Sequence, residues 1–288
     1  MIVIVGALIV LASVIGGFMM GGGHVGSLLQ VAEFAIICGS ALGALIIMSP
    51  KKVLMDVVKL SINSLKGSSY TRATYEELFK ALYELFMLGR RNGMIALEDH
   101  VMNPLTSSIF IKYPSFVNNH EAIELLCGGL RPIIDGKVKP DQLKLLLETE
   151  LEAKEEEHAQ PVEVLTKTAD AMPGFGIVAA VLGIVITMSS IAGPIEQIGH
   201  HVAAALVGTF LGILISYGFL NPLAVNMAFT GAAELAYSRC IATAVIGFAS
   251  GMAPIMAVEM ARRGLSSELK PKADELEKLL KPLAASGK

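Results

Sequence analysis

Residues 171–191 read AMPGFGIVAAVLGIVITMSSI and contain no Asp, Glu, Lys, Arg or His. About 20 apolar residues in helical conformation are needed to cross the hydrocarbon core of a bilayer. A second stretch of this kind, VAAALVGTFLGILISYGFL at 202–220, follows a linker that contains Gly193, Pro194 and Glu196. The two stretches predict two membrane spans, over 173–191 and 202–220, joined by a short outer loop.

The first 50 residues have the same character. They contain no Lys or Arg, and Glu33 is their only acid. A glycine-rich segment, GGGHVGS at 21–27, divides them into apolar runs at 2–20 and 28–48. These runs predict two more spans, so we expect four transmembrane helices in all.

The 23 Lys and Arg residues alternate with the uncharged blocks. Fifteen lie in 51–170 and eight in 239–288, whereas 171–238 contains none. Because Lys and Arg in short flanking segments stay on the cytoplasmic side, the pattern predicts cytoplasmic termini, a cytoplasmic block between spans two and three, and outward-facing linkers.

The predicted fold class is therefore all-α: a polytopic membrane protein with four transmembrane helices and a helical cytoplasmic domain. Its predicted parts are a transmembrane hairpin at 1–50, a cytoplasmic helical domain at 51–170, spans three and four at 171–222, and a cytoplasmic C-terminal tail at 223–288. Residues 240–258 are also uncharged. A span there would export Arg262 and Arg263, so we expect an amphipathic or protein-covered segment instead.

Composition excludes several classes of function. The chain has 288 residues, is 53% hydrophobic and 17% charged, and has a net charge of -3 and a mean hydropathy of +0.60. A soluble domain would contain about 25% charged residues, and a nucleic-acid binder would show a basic excess. Three widely spaced cysteines form neither a disulfide framework nor a zinc pattern. With no phosphate-binding loop, dinucleotide motif or nucleophile elbow, we expect no enzyme, no cofactor and no metal site.

The cytoplasmic block carries helix signals. Thr74 followed by Glu77 predicts a capping box at a helix start. A second helix is expected from Asn119 to the glycine pair 128–129. A third begins at Pro140, a favourable first helical residue, and Pro161 is expected to kink or interrupt it before span three.

Small residues line one face of each of the last two spans, at steps of three and four residues. They are Pro173, Gly176, Ala180, Gly183, Thr187 and Ser190 in span three, and Ala205, Thr209, Gly212 and Ser216 in span four. Small residues on membrane helices favour close helix packing. The hydroxyl groups have two open explanations: they bond back to their own helix, or they line a polar path or a partner helix.

Ionisable side chains are almost absent from the predicted spans. A proton or cation path normally uses an intramembrane carboxylate, and Glu33 is the only one. Its position near the outer end of span two predicts that it snorkels towards water in a structural role. Either this chain does not conduct ions, or another chain supplies the titrating acid.

These segments resemble the MotA family of flagellar motor stator subunits. The likeness lies in DAMPGFGIVAAVLGIV at 170–185, VGTFLGILISYGFLNPLA at 207–224, and the pair Arg90 and Glu98 in the large loop. It covers nearly the whole chain. The resemblance implies a multi-pass protein of the cell inner membrane that drives flagellar rotation, motility and chemotaxis, with no enzymatic activity.

The family also implies partners and site residues. A pentameric ring of such chains would surround a MotB-type single-span, peptidoglycan-anchored partner that carries the ion-binding aspartate, and would push the rotor protein FliG. Arg90 and Glu98 would face the rotor, and Pro173 and Pro222 would couple conformational change. The ion pathway or partner-facing residues would be Ala180, Thr187, Thr209 and Ser216.

The resemblance bears on the ion as well. Sodium-driven relatives usually carry threonine at the position of Ala180, which lacks a side-chain oxygen, so we expect H⁺ as the translocated ion. Two alternatives remain open. One is an ExbB/TolQ-like energiser of outer-membrane processes, against which the additional N-terminal hairpin argues. The other is a self-contained channel or transporter, which would need its own intramembrane acid.

Overall fold

A computed structural model describes residues 2–67, 69–189 and 191–286. Ser190, one of the small residues predicted on the face of span three, lies outside these residues. The described residues form twelve α-helices and contain no strand. The helices are α1 Ile2–Met20, α2 Val31–Met48, α3 Lys51–Lys66, α4 Arg72–Asn92, α5 Glu98–Met102, α6 Pro114–Val117, α7 His120–Ile134, α8 Pro140–Ser189, α9 Ile195–Ile215, α10 Asn221–Ala249, α11 Pro254–Arg263 and α12 Ala273–Ser286.

Four helical segments of the described chain have the length and composition of membrane spans. They are α1, the segment Val25–Met48, the C-terminal part of α8, and the helix that continues from α9 into α10. The prediction of four spans is confirmed. The all-α fold class is confirmed as well.

The chain divides into two compact units, and the predicted domain division stays a prediction. The first unit comprises residues 1–67 and 157–230, and the second comprises 68–156 and 231–288. Both α8 and α10 contribute residues to each unit. The assignment of these parts to membrane and cytoplasm stays a prediction.

The second unit is built around a large apolar core. Aromatic side chains of α4 are central to it, and Phe86 stacks on Phe248 of α10 with ring centroids 4.3 Å apart. Cys240, Ile241 and Val245 of α10 are also buried in this core. Residues 240–249 are therefore covered by protein, whereas 250–253, 255 and 256 are exposed, so only part of the uncharged segment 240–258 is protein-covered.

The predicted C-terminal tail is part of the same core. Leu276 and Leu280 of α12 are buried. Upstream, the buried Arg262 donates to the backbone carbonyl of Pro271 at 2.7 Å and to both carboxylate oxygens of Glu259. Hydrogen bonds from Arg262 lower the pKa of Glu259 to about 2. Residues after α10 thus fold back onto the unit.

Two helix ends differ from the predictions in the cytoplasmic block. The cap of α4 is Thr71 rather than Thr74: its hydroxyl accepts from the backbone N–H of Thr74, and Thr74 completes the capping box. The second helix, α7, begins after Asn119 as predicted but continues through the glycine pair to Ile134. A Cβ at Gly129 would stand 3.3 Å from Leu147, so this glycine permits close packing and does not end the helix.

The predicted interruption at Pro161 is wrong, because α8 is continuous from Pro140 to Ser189. An internal proline costs about 3 kcal/mol through one lost hydrogen bond and a steric clash. Packing after it offsets that cost: Leu165 is buried with Val53, Val57, Ala224 and Met227 in the first unit. Tertiary contacts override the local preference.

The first unit depends on a backbone contact between α8 and α9. A Cβ added to Gly212 would lie 2.6 Å from the carbonyl oxygen of Met172, and one added to Gly176 would lie 2.9 Å from that of Gly208. Farther along, a Cβ at Gly183 would lie 3.0 Å from the Cβ of Ala205. Only glycine allows this approach, which is the packing that small residues permit in membranes.

We predict that Gly212→Ala destabilises the protein by about 1–3 kcal/mol, because the added methyl group meets a rigid backbone oxygen. Gly174→Ala, in α8, is the matched control, since no neighbouring atom lies within 4 Å of its new Cβ. Thermal unfolding of the purified full-length chain in detergent measures the difference. Equal melting temperatures for the two variants would contradict the proposed contact.

Candidate functional site

The small-residue face of α8 is used within the chain. Gly176, Ala179 and Gly183 face α9, and Ala179 is almost fully buried. Ala180, which the sequence placed on this face, lies one residue around the helix and is half-buried. The glycines therefore serve internal helix packing, as the helix-packing explanation predicts.

The hydroxyl of Thr187 is also occupied within the chain. Thr187 is buried, and its Oγ1 donates to the carbonyl of Gly183 at 2.8 Å. Of the two explanations for the hydroxyl groups, the bond to the residue's own helix applies here. The geometry leaves this hydroxyl no free surface towards a partner.

Ser216 lies at the start of a π-helical turn that the sequence analysis missed. The turn spans Ser216–Leu220 and joins α9 to α10, with the N–H of Asn221 donating to the carbonyl of Ser216. Ser216 is fully buried, and its Oγ has no hydrogen-bond partner among the residues described. Pro222 comes two residues after this turn and has no N–H to donate to a regular helix. It is the sequence feature that pointed to an irregular turn here.

Thr209 keeps a partly exposed side chain. Its Cα lies beside Gly176, at 3.3 Å from the position that a Cβ there would occupy. Among the four predicted ion-pathway residues, Thr209 and Ala180 are half-buried, whereas Thr187 and Ser216 are buried. The first two thus retain surface for another chain or for water.

The two predicted coupling prolines lie near a polar contact that the sequence analysis did not identify. Pro173 is inside α8, and Pro222 is the second residue of α10. Beside them, the amide of Asn221 donates to the carboxylate of Asp170 at 3.2 Å. The sequence feature that could have indicated this contact is an acid and an amide that each lie within three residues of a proline. The bond joins α8 and α10 where both carry a proline.

Glu33 is largely buried against α9, and the contact of its carboxylate with water stays a prediction. Only 7% of its surface is exposed. Its Cγ packs on α9, at 3.4 Å from the position that a Cβ of Gly208 would occupy. The close approach of α2 to this glycine accounts for the burial. The carboxylate makes no hydrogen bond or ion pair with any residue that the structure describes.

Arg90 and Glu98 are exposed on the second unit and separated by a short turn. Arg90 lies in the last turn of α4, and Glu98 begins α5. Between them Gly93 has φ 85°, a backbone conformation that favours glycine, and Leu97 is fully buried. Glu98 also lines a cavity of about 130 Å³ with Arg131 and Asp135. The buried leucine fixes the turn, and both charges remain available to another protein.

Among the described residues, no three His, Cys, Asp or Glu side chains lie together in a group that could hold a metal ion. The cysteines there are free thiols. What the geometry offers is a glycine-packed helix pair in the membrane-spanning part and an exposed charged turn in the other unit.

Comparison with known proteins gives consistent matches. The chain matches the N-terminal model of motility protein A over residues 4–93 and the MotA/TolQ/ExbB proton channel family over residues 118–228. It is 36% identical over 277 residues to Motility protein A of Salmonella typhimurium, covering 96% of this chain and 94% of the relative. It is 38% identical over 275 residues to Chemotaxis protein LafT of Vibrio parahaemolyticus, covering 96% of each.

Two solved structures share the fold. The flagellar MotAB stator complex from Bacillus subtilis superimposes with a TM-score of 0.73 at 24% identity, covering 96% of this chain and 98% of that chain. The C. jejuni MotAB structure gives a TM-score of 0.76 at 20% identity, covering 92% and 96%. At these identities, the likeness concerns the fold alone.

Proposed function

The chain belongs to the motility protein A family and is a flagellar motor stator subunit, and we propose that with a MotB-type partner it conducts protons across the inner membrane and drives the rotor protein FliG. It is a component of an ion-driven motor and not an enzyme. One observation carries the proposal of a partner. The glycine-packed α8 and α9 contain no acidic side chain within their predicted spans.

A proton path requires groups that bind and release protons at depth in the membrane. Because the spans of α8 and α9 supply none, the titrating acid comes from the partner's membrane helix. The two similar solved structures are of MotAB from C. jejuni and of the MotAB stator complex from Bacillus subtilis, which supports a MotB-type subunit as that partner. Ala180 and Thr209 are the residues that would border its helix.

The outer surface of α8 supports assembly into a ring. Ile177, Val181 and Val185 are each about half exposed, at 56%, 52% and 60%. In a membrane, such side chains meet lipid or the helices of other chains. We propose a pentameric homo-oligomer around the partner, which would cover part of this surface. The family model of the N-terminal 4–93 segment favours a stator role over an ExbB/TolQ-like energiser.

The proposed topology places both termini and the second unit in the cytoplasm. Support comes from α3, which is separated from α2 by two residues and carries Lys51, Lys52, Lys59 and Lys66 on its exposed surface. Lysines next to a span stay on the cytoplasmic side and are attracted to anionic lipids.

We predict that cysteines introduced at Gly26 and Gly199 react with a membrane-impermeant maleimide in intact cells, whereas a cysteine at Ser266 does not. All three positions are exposed, so accessibility differs only by side of the membrane. Serine replaces the three native cysteines in the background variant. Permeabilised cells are the control, in which all three positions should react. Labelling of Ser266 in intact cells would contradict the topology.

The rotor-facing role of Arg90 and Glu98 is electrostatic in this proposal. We predict that the double variant Arg90→Glu, Glu98→Lys reduces swimming without reducing the amount of protein in the membrane, because like charges then face the rotor. Arg91, next to Arg90, makes the double variant more decisive than a single reversal. A compensating reversal on FliG should restore part of the motility.

Lys278→Glu is the matched control for the rotor charges, since Lys278 is an exposed cation on α12 of the same unit. Its swimming should equal that of the wild type. Wild-type swimming of the double variant would refute the proposed role.

The ion prediction follows from Ala180. A dehydrated sodium ion needs several oxygen ligands, and this residue offers no side-chain oxygen to the partner's acid. Swimming speed should therefore not depend on external sodium at fixed pH and should fall to zero when an uncoupler collapses the proton gradient. Speed that rises with sodium and persists with the uncoupler would overturn the assignment of H⁺.

A further inference from the structure

The helix α3 carries apolar side chains on two opposite faces. Successive residues of an α-helix are rotated by about 100°, so Val53 and Val57 lie about 40° apart on one side of α3. Met55, Val58 and Ile62 lie on roughly the opposite side. The first side is buried and the second is exposed, and we call them the inner face and the outer face.

The inner face fixes the rotation of α3 about its own axis. Val53 and Val57 are buried with Leu165 of α8 and Met227 of α10. The hydroxyl of Ser61 also donates to the Sδ of Met227 at 3.4 Å. Because these contacts hold the inner face, the outer face points away from both helices.

The outer face is an apolar stripe beside a membrane span. Met55, Val58 and Ile62 are 61%, 59% and 49% exposed, at steps of three and four residues. Only two residues separate α3 from the end of α2. An apolar helix face that starts where a span ends lies at the level of the bilayer interface, where lipid can cover it.

A row of lysines borders the outer face. Lys52, Lys59 and Lys66 recur every seven residues, so they form a row at about 70° from the centre of the apolar stripe. Lys51 begins the helix on the outer face itself. This arrangement of an apolar stripe with cations beside it is typical of helices that lie on anionic membranes.

The two acids near the first turns of α3 are engaged by one of these lysines. Lys52 forms an ion pair with Glu157 of α8. Asp56 lies one turn along the same helix and also attracts Lys52, so both acids help to raise the pKa of that ammonium group. The other three lysines of α3 are exposed, and they are Lys51, Lys59 and Lys66.

We propose that α3 lies in the headgroup layer of the cytoplasmic leaflet and binds anionic phospholipids. Met55, Val58 and Ile62 contact the acyl chains close to the headgroups, and the exposed lysines contact the phosphates. Clusters of lysines immediately after a span or on an amphipathic helix recognise anionic headgroups in this way. The inference rests on the proposed topology and adds a lipid partner to it.

The length of the lysine row favours a lipid surface over a neighbouring copy of this chain. Lys52 and Lys66 are fourteen residues apart, which is about 21 Å along the helix. Headgroup phosphates are present along the whole of that length. A neighbouring copy would instead need acids spaced along it, and like charges of the same helix would repel.

Quenching by brominated lipids tests the proposal. The complex purified from its own membranes is reconstituted into nanodiscs, in the background where serine replaces the three native cysteines. A fluorescent probe on Ile62→Cys reports which lipids reach the outer face. Bromine is carried by the chains of phosphatidylglycerol, which is anionic, or of phosphatidylcholine, which is zwitterionic. Both leaflets have the same composition, so the result does not depend on topology.

We predict half-maximal quenching at an about fivefold lower mole fraction of brominated phosphatidylglycerol than of brominated phosphatidylcholine, the preference that one lysine at a membrane surface provides. The triple variant Lys51→Gln, Lys59→Gln, Lys66→Gln should lose this preference. Arginine at the same three positions keeps the charge and should retain it.

The matched control is Lys139→Gln, Lys272→Gln, Lys278→Gln, which changes three exposed lysines of the second unit and should keep the preference. Absence of quenching by either lipid would show that another chain covers the outer face, and equal quenching by both would show contact without charge recognition. Either result overturns the proposal. A glutamine variant that fails to assemble would elute differently on gel filtration, and the comparison of the two lipids at Ile62→Cys alone then decides. Labelling of Ser266 in intact cells would overturn the topology and leave the lipid preference intact.

Discussion

The close contact between α8 and α9 is the constraint on which the rest of the membrane-spanning part depends. At Gly176 and Gly212 the helices approach so closely that a single Cβ would overlap a backbone oxygen. Such packing gives two membrane helices a fixed relation without polar side chains between them. It also leaves no room in the contact for an ionisable group. In the proposed function, the ion would therefore need binding groups from outside this helix pair.

The polar groups of the membrane-spanning part lie around the α8–α9 helix pair. Glu33 enters from α2 at Gly208, and the bond between Asn221 and Asp170 joins α8 and α10 near their prolines. One elementary charge crossing 100 mV releases about 2.3 kcal/mol, which is comparable to the free energy of a few such polar contacts. If the proposed function holds, small rearrangements at the prolines and the π turn have the energetic size needed for coupling to ion movement. The helices α8 and α10 each contribute residues to both compact units.

Much of this arrangement was predictable from the sequence. Spans are set by where Lys and Arg are absent, and the solvation cost of charge makes that signal strong. The start of α7 after Asn119 and the burial of residues 240–249 also followed from local chemistry and charge. The continuity of α8 through Pro161 did not, because packing of Leu165 offsets a local penalty. For the same reason, the glycine pair at 128–129 did not end α7.

Side-chain register was the least predictable feature of the candidate site. Whether Ala179 or Ala180 faces α9 depends on a rotation of about 100°, which a stripe of small residues does not specify. The burial of Glu33 depends on a glycine 175 residues away in the chain, Gly208. A solvation argument applied to α2 alone places the acid towards water. Its burial results from the close approach of α9, which is not apparent from α2 alone.

The proposed function requires that another chain supplies the acid of the ion path. Native mass spectrometry of the complex, purified from its own membranes in mild detergent, measures whether such a chain is present. The complex should contain five copies of this chain together with two copies of a single-span protein whose membrane helix contains an aspartate. A chain that is isolated without any such partner, and that conducts protons on its own after reconstitution, would contradict it.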